Sequence, residues 1–294
     1  MIDKVRDIVP LMKEAFQVAQ SGTPGPVYVE LPIDILYPYS IIRKEFISST
    51  GGKSLQGKLV DWYLNNYLSN LFAGAYDEEP DLTPLPIDIP YPKETDITKT
   101  IELLTQARRP LVILGSQSVC PPVGAENLRK AVEVKYYYFN INNKISDLIA
   151  FKSLGIPTYL GGMSRGLLGR NSPINMRQAR REALQEADLV ILGGSVADFR
   201  LSYGRVFSKK SKIIAVNRNR EQLNKNAGIF WQPTLAVQGD PAKLFVEVAN
   251  KLKSNFKVDP DWLKKLQDRD AEKENKALAM ANQPTDKHLN PLKV

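Results

Sequence analysis

A chain of 294 residues with 43% hydrophobic and 24% charged residues can bury a core of one or two domains, which excludes a disordered or low-complexity protein. Its net charge of +8 is scattered, Lys209-Lys210-Ser211-Lys212 being the densest run, so it fits an anionic ligand or partner but shows no basic stripe interleaved with aromatics of the kind that binds nucleic acid. The single cysteine, Cys120, excludes an intrachain disulfide, and the single histidine, His288, excludes a His-pair metal site and a Ser-His-Asp triad.

No apolar run reaches the length of a membrane span, and 1–10 is not a signal peptide. Both ends read as cut. Ile2-Asp3-Lys4 already lies inside a helical pattern, and Asn290-Pro291-Leu292-Lys293-Val294 reads as the start of a helix. Over 5–20, apolar residues at Val5, Ile8, Val9, Met12, Ala15, Phe16 and Ala19 predict a helix with one buried face. The turn residues of 21–26 end it, and 27–31 then predicts a strand stopped by Pro32. Over 55–72, Leu59, Trp62, Tyr63, Tyr67, Leu68 and Leu71 predict one packing face of an amphipathic helix between the Gly51-Gly52 turn and an acidic, proline-rich stretch at 77–92.

From 95 onward, helical and strand patterns alternate. Helices are expected at 97–107, 121–134 and 175–187, and a last one begins at Gly239-Asp240-Pro241, where Asp240 suits the N-cap and Pro241 the first turn. Strands are expected at 109–115, 155–159, 189–192, 212–216 and 234–237. The run Leu189-Val190-Ile191-Leu192 is apolar throughout, as in a strand buried on both faces of a parallel sheet. The expected fold is α/β, a doubly wound Rossmann-like parallel sheet over 95–254 flanked by partial domains.

Several stretches carry a resemblance. GTPGPVYVELPIDI at 22–35 resembles the end of the pyrimidine-binding domain of thiamine diphosphate enzymes. GGMSRGLLGR at 161–170, DFRLSYGRV at 198–206, VNRNREQL at 216–223, FWQP at 230–233, VQGD at 237–240 and HLNP at 288–291 resemble the acetolactate synthase-like, 2-hydroxyacyl-CoA lyase branch of that family. The resemblance divides the chain into the end of the pyrimidine-binding domain (1–45), a linker (46–94), the central domain (95–254), and a linker with the start of the diphosphate-binding domain (255–294). One region departs from it. Between the helix near 134 and the strand near 156, a connection of about two to six residues is usual. VKYYYFNINNKISDLIAFKS stands there instead, rich in residue types with AT-rich codons and without turn chemistry of its own. We read 135–153 as an anomalous insertion, retained intron sequence or a surface excursion.

The resemblance implies thiamine diphosphate, an electron sink for a carbanion, together with Mg²⁺. It implies a glutamate of the pyrimidine-binding domain as activator and a Gly-Asp-Gly…Asn motif of the third domain as the diphosphate and metal site. Neither motif is in the chain: Gly239-Asp240 runs into Pro241, and Glu30 stands in the wrong element. No catalytic residue and no metal ligand is therefore assigned, and the chain by itself is expected to be inactive.

The central domain can still hold a ligand. Strand-end turns at Gly115-Ser116-Gln117, Gly193-Gly194 and Asn217-Arg218 would line one crevice. NAD-type sites offer the ribose a carboxylate after the relevant strand, whereas here the sequence offers Asn217-Arg218-Asn219-Arg220. Arginine forks suit phosphate oxygens, so Arg200, Arg218 and Arg220 are the candidate phosphate partners of the ADP end of coenzyme A, and Asp240 the candidate ribose contact. The alternative for Arg218 and Arg220 is a solvated helix start.

Two functional readings follow. One is part of a thiamine diphosphate lyase or transferase acting on 2-hydroxyacyl-CoA or, alternatively, condensing pyruvate as acetolactate synthases do. The other is a noncatalytic nucleotide-binding or structural module. The resemblance also implies a homo-oligomer, and anchorage in the endoplasmic reticulum by an N-terminal segment that this chain lacks.

Overall fold

The computed structural model describes residues 1–48, 55–75, 79–133, 154–252, 256–284, 290 and 292, together with the backbone of four two-residue strands between 136 and 150. The chain forms two compact units, Met1–Asp88 and Ile89–Val294.

In the first unit a 3₁₀ turn, Val5–Asp7, leads into helix α1 (Ile8–Gln20), followed by a second 3₁₀ turn, Ile33–Ile35, and by α2 (Tyr39–Ser48) and α3 (Leu55–Leu71). Ile2, Ile35, Ile42, Leu68 and Leu71 form its small core, which joins α3 to the elements before residue 45. The proline-rich stretch lies along α1: Lys13 Nζ reaches Asp81 Oδ2 at 3.0 Å and Gln17 Nε2 donates to the Pro86 carbonyl at 2.6 Å.

Two expectations fail here. No strand forms at 27–31 among the described residues. A strand needs a ladder partner for its alternating N–H and C=O groups, and the backbone bond this stretch makes is a single one, Ile2 N–H to the Glu30 carbonyl at 3.0 Å. The face of α3 is also different. Leu68 and Leu71 are buried with Gly57, while Leu59, Trp62 and Tyr63 are each more than 60% exposed. The helix has two apolar faces, and the larger one is not the one that packs.

The second unit is built on a six-stranded, all-parallel sheet. Its strands are β1 (Pro110–Leu114), β6 (Thr158–Leu160), β7 (Asn175–Met176), β8 (Leu189–Gly193), β9 (Lys212–Asn217) and β10 (Leu235–Gln238). The spatial order is β10-β9-β8-β1-β6-β7. Every pairing is parallel, and β1 sits between β6 and β8, so the chain winds outward from β1 first one way and then the other. That reversal makes the sheet doubly wound and puts its switch point between β1 and β8.

Successive residues of β1 point to opposite faces, as the pleat requires. Val112 and Leu114 enter one core layer with Leu104, Leu128, Phe245 and Val248, brought by helices α4 (Glu94–Gln106), α5 (Ala125–Val132) and α8 (Pro241–Lys251). Leu111 and Ile113 enter the other layer, with Leu184 of α6 (Arg180–Glu186) and Trp262 and Leu266 of α9 (Pro260–Ala281). Both faces of β1 and β8 are therefore dry, which explains their unbroken apolar runs. Each fully buried Leu, Ile or Phe here contributes about 1.5–3 kcal/mol.

Boundaries move where local hydrogen bonds override periodicity. The helix expected at 121–134 is confined to α5, and the strand expected at 155–159 pairs only as β6. The helix expected at 175–187 is in fact an edge strand and a shorter helix. Asn175–Met176 pairs with β6 as β7, and α6 begins only at Arg180. The Asp270 carboxylate of α9 captures the Arg177 N–H at 2.7 Å and also that of Gln178, and Tyr159 Oη donates to the Gln178 carbonyl at 2.8 Å. Those groups are thus withheld from a helix.

Within 135–153, the described backbone forms four short strands, β2 (Tyr136–Tyr137), β3 (Asn140–Ile141), β4 (Lys144–Ile145) and β5 (Ile149–Ala150). They nest antiparallel, β3 on β4 inside β2 on β5. Tyr and Ile favour such pairing. The rest of this expected insertion lies outside the described residues, as does most of the helix start expected at 290–294.

Helix α9, absent from the sequence expectations, is bolted to the sheet: Trp262 is buried and its Nε1–H donates to the Pro110 carbonyl at 3.0 Å. Truncating Trp262 to alanine opens a cavity and orphans that carbonyl, for an expected loss of about 3–5 kcal/mol in urea denaturation. Lys264→Ala, on the exposed side of the same helix, is expected to shift stability by less than about 0.5 kcal/mol. Equal effects would show that the helix does not depend on this docking.

Candidate functional site

The carboxyl ends of β1, β8 and β9 meet at the switch point, and the groups there are joined through hydrogen bonds. After β1 the chain turns through the 3₁₀ segment Ser116–Val119 directly over the end of β8. The Gly193 carbonyl accepts from Gly115 N–H at 2.8 Å and from Ser118 Oγ at 2.7 Å. Glycine is required on both sides of this contact. A Cβ at Gly115 would run into the Gly194 carbonyl, and one at Gly194, where φ is +66°, would sit 2.8 Å from Gln117 Cβ. The close approach that these glycines permit is thus of one loop to another.

Gln117 links this turn to the end of β9. Its Nε2 donates to Asn217 Oδ1 at 2.9 Å, and its Oε1 accepts from the Arg218 N–H at 3.0 Å. Asn217 Oδ1 also accepts from the Asn219 N–H at 2.9 Å, so both amide orientations are fixed by their donors. Asn217 Nδ2 is then buried with no acceptor.

Beneath lies an ion pair. The Arg218 and Asp240 side chains are both 0% exposed, with Nη2 and Nε 2.6 and 2.9 Å from Asp240 Oδ2. Arg218 Nη2 also donates to the Cys120 carbonyl at 3.4 Å and to the Pro121 carbonyl. The other Asp240 oxygen caps α8, accepting from the Lys243 N–H at 2.7 Å. One guanidinium thereby ties the loop after β1, the end of β9 and the N-terminus of α8 together.

Of the candidate residues, Gly115, Gln117, Gly193, Gly194, Asn217, Arg218 and Asp240 are gathered into this buried network. Ser116 faces a neighbouring loop, where its Oγ accepts from the Met163 N–H at 3.2 Å. Arg200 and Arg220 stand outside the network and are exposed. Arg200 forks onto Asp198, Nη2 to Oδ2 at 2.6 Å, and this guanidinium holds the Asp198 carboxyl below the usual carboxylate range. Asp198 also caps its own turn through the Arg200 N–H at 2.9 Å. Ser118 and the Cys120 and Pro121 carbonyls belong to the network, and Asp198 to the separate pair with Arg200, without having been singled out in the sequence. The Asp-x-Arg spacing at 198–200 is the one local signal that marks any of them.

Chemically, the network is a set of mutually paired donors and acceptors, with Asn217 Nδ2 left as a buried donor. Among the described residues no group of three or more His, Cys, Asp or Glu could hold an ion. Asp240, the one acid in a Gly-Asp context, has both oxygens engaged.

Comparison with known proteins agrees with the fold. Residues 140–248 match the family described as thiamine pyrophosphate enzyme, central domain. Over 290 residues the chain is 49% identical to 2-hydroxyacyl-CoA lyase 2 of Danio rerio, covering 99% of this chain and 43% of that protein. It is 46% identical over 293 residues to 2-hydroxyacyl-CoA lyase 2 of Homo sapiens, covering 100% of this chain and again 43% of the relative. A more distant similarity, 24% over 295 residues, links it to oxalyl-CoA decarboxylase of Escherichia coli, covering 96% of this chain and 41% of that one. The chain spans less than half the length of these relatives.

Removing one partner of the Arg218–Asp240 pair leaves the other charge buried and unpaired, which costs about 3–5 kcal/mol. Arg218→Met and Asp240→Leu are each expected to lose that much stability in chemical denaturation. The double variant is expected to recover a large part of it, because no lone charge remains. Additive losses in the double variant would show that the two side chains act separately.

Proposed function

On the premise that this chain carries the central domain of a thiamine pyrophosphate enzyme, we propose that it is part of a thiamine diphosphate-dependent lyase that cleaves or forms a carbon–carbon bond in 2-hydroxyacyl-CoA substrates. The observation that carries this reading is similarity along nearly the whole chain to proteins named 2-hydroxyacyl-CoA lyase 2, at 49% and 46% identity. A transferase direction, a homo-oligomeric parent and a location at the endoplasmic reticulum belong to the same proposal. Among the described residues, no helix is long and apolar enough to cross a membrane.

The residues present do not fit the cofactor's diphosphate and Mg²⁺. The Gly239-Asp240 pair is a helix cap whose carboxylate is held by Arg218 and Lys243. No step of the bond cleavage is therefore assigned to this chain's own groups. When bound to the parent, thiamine diphosphate supplies the electron sink. What this domain supplies is a place for the coenzyme A end of the substrate.

The ADP moiety would lie at the switch point, above the carboxyl ends of β1, β8 and β9. Two features support that reading. Asn217 Nδ2 is a buried donor without an acceptor. Arg200 and Arg220 are exposed and reach solvent from the turns after β8 and β9. In this reading Arg200 and Arg220 pair with phosphate oxygens, and the buried Arg218–Asp240 pair holds the floor in place.

Titration of the chain with coenzyme A, dephospho-coenzyme A and ADP tests the proposal. Coenzyme A is expected to bind tightest, and Arg220→Ala to weaken it by about 1.5–3 kcal/mol, the scale of a charge-assisted hydrogen bond. The chain alone is expected to show no saturable binding of thiamine diphosphate with Mg²⁺ by calorimetry. If the 3′-phosphate gives no advantage and Arg220→Ala binds like the parent, the noncatalytic structural reading takes precedence.

A further inference from the structure

The excess positive charge has no dense run, yet most of it falls within one stretch of the chain. Between residues 196 and 231 stand eight Lys and Arg against Asp198 and Glu221, so this stretch carries a net +6 of the chain's +8. It consists of the crossover from β8 to β9, strand β9, and most of the crossover from β9 to β10, which includes the short helix α7 (Arg220–Leu223). Both crossovers cover the same face of the sheet, because Leu201, Val206 and Phe207 from one and Leu223 and Trp231 from the other enter a single core layer. They are also joined directly. Asn226 Nδ2 donates to the Ala197 carbonyl at 2.8 Å, and the Phe207 and Trp231 rings meet edge-on at 5.9 Å.

The outer side of this double crossover is apolar as well as basic. Phe199 is 71% exposed and Ile229 70%, with Tyr203 and Phe230 also open to solvent. The Arg205 guanidinium lies 4.2 Å from the centre of the Phe230 ring. Lys209 and Lys210 on the first crossover and Lys225 on the second are exposed as well. Of the two acids in the stretch, Asp198 is already paired with Arg200, and Arg218, the one buried base, is neutralised by Asp240.

We propose that this double crossover is a docking surface for an anionic lipid bilayer, with Phe199, Tyr203, Ile229 and Phe230 entering the interface and the surrounding lysines and arginines facing lipid phosphates. Separate apolar side chains on turns, with bases between them, match a fluid surface that each can enter independently. A ring with a guanidinium over it presents an apolar body and a charged tip, the arrangement that suits the boundary between acyl chains and headgroups. Negative surface potential adds attraction for every base near it. Nucleic acid shares the charge preference but gains nothing from Ile229, since base recognition on such platforms works through aromatic stacking. Arg200 and Arg220 belong to the coenzyme A reading as well, but Lys209, Lys210, Ile229 and Phe230, which the test alters, do not, so the two readings can fail separately.

The test is flotation of the full chain with vesicles of phosphatidylcholine alone or phosphatidylcholine with phosphatidylserine, at low and high salt. Flotation is expected only with phosphatidylserine, weakening as salt rises. The double variant Lys209→Glu/Lys210→Glu is expected to lower vesicle affinity by roughly tenfold or more, and Ile229→Ser/Phe230→Ser to abolish most flotation, with circular dichroism unchanged in both. Should either variant fail to fold, Lys225→Glu and Phe199→Ser provide the same two readouts. Failure of the parent chain to float with phosphatidylserine overturns the proposal. So does flotation that survives the apolar substitutions, or retention on a soluble oligonucleotide at equal affinity, which would make this a general polyanion or nucleic-acid surface. Flotation unaffected by the charge reversals would overturn it from the other side.

Discussion

The second unit depends on one buried ion pair. Arg218 and Asp240 have left water completely, and such a pair holds only if its remaining donors and acceptors find partners. Here they do, and each partner is a piece of backbone: the loop carbonyls at Cys120 and Pro121 on one side and the first turn of α8 on the other. Three chain segments far apart in sequence are thereby fixed at the end of the sheet where ligands of this architecture bind. The crevice floor is consequently stiff, and its stiffness comes from charge in a dry place. The glycine contact between the β1 and β8 loops adds a second constraint of a different kind, shape without charge.

The sheet was legible in the sequence because its strands are buried on both faces and so read as unbroken apolar runs. Leu189–Gly193 and Pro110–Leu114 are the clearest cases. The N-cap and first turn of α8 were equally legible, since Asp240-Pro241 has a local meaning that burial reinforces. What failed depended on distant partners. Asn175–Met176 has no strand signature of its own and is a strand because β6 lies beside it. The 27–31 stretch has the signature and lacks the neighbour. On α3 the sequence offers two apolar faces, and periodicity alone cannot choose between them.

The candidate site divides along the same line. That Gly115, Gly193, Gly194 and Asn217 converge follows from topology, which the alternation of elements already implies. That Arg218 points inward does not. Arg218 and Arg220 are two residues apart and chemically identical, yet one is fully buried and the other exposed. The difference is Asp240, 22 residues on, whose position is known only once β10 has been placed beside β9. Sequence reasoning can nominate an arginine for phosphate; it takes the carboxylate's location to say which arginine is already occupied.

The strand order also has a consequence in time. β8, β9 and β10 are neighbours in space joined by short crossovers, whereas β1 must wait for both β6 and β8, the latter paired from Pro110 to Leu189 across the whole intervening chain. Closing that larger loop costs more chain entropy before any contact repays it. Our hypothesis is that refolding begins in the β8–β10 half and that the β1–β6–β7 half is recruited onto it. Pulse-labelled amide exchange during refolding would show protection at Ile213 to Val216 ahead of Val112 to Leu114; the reverse order would mean that the first half nucleates the domain by itself.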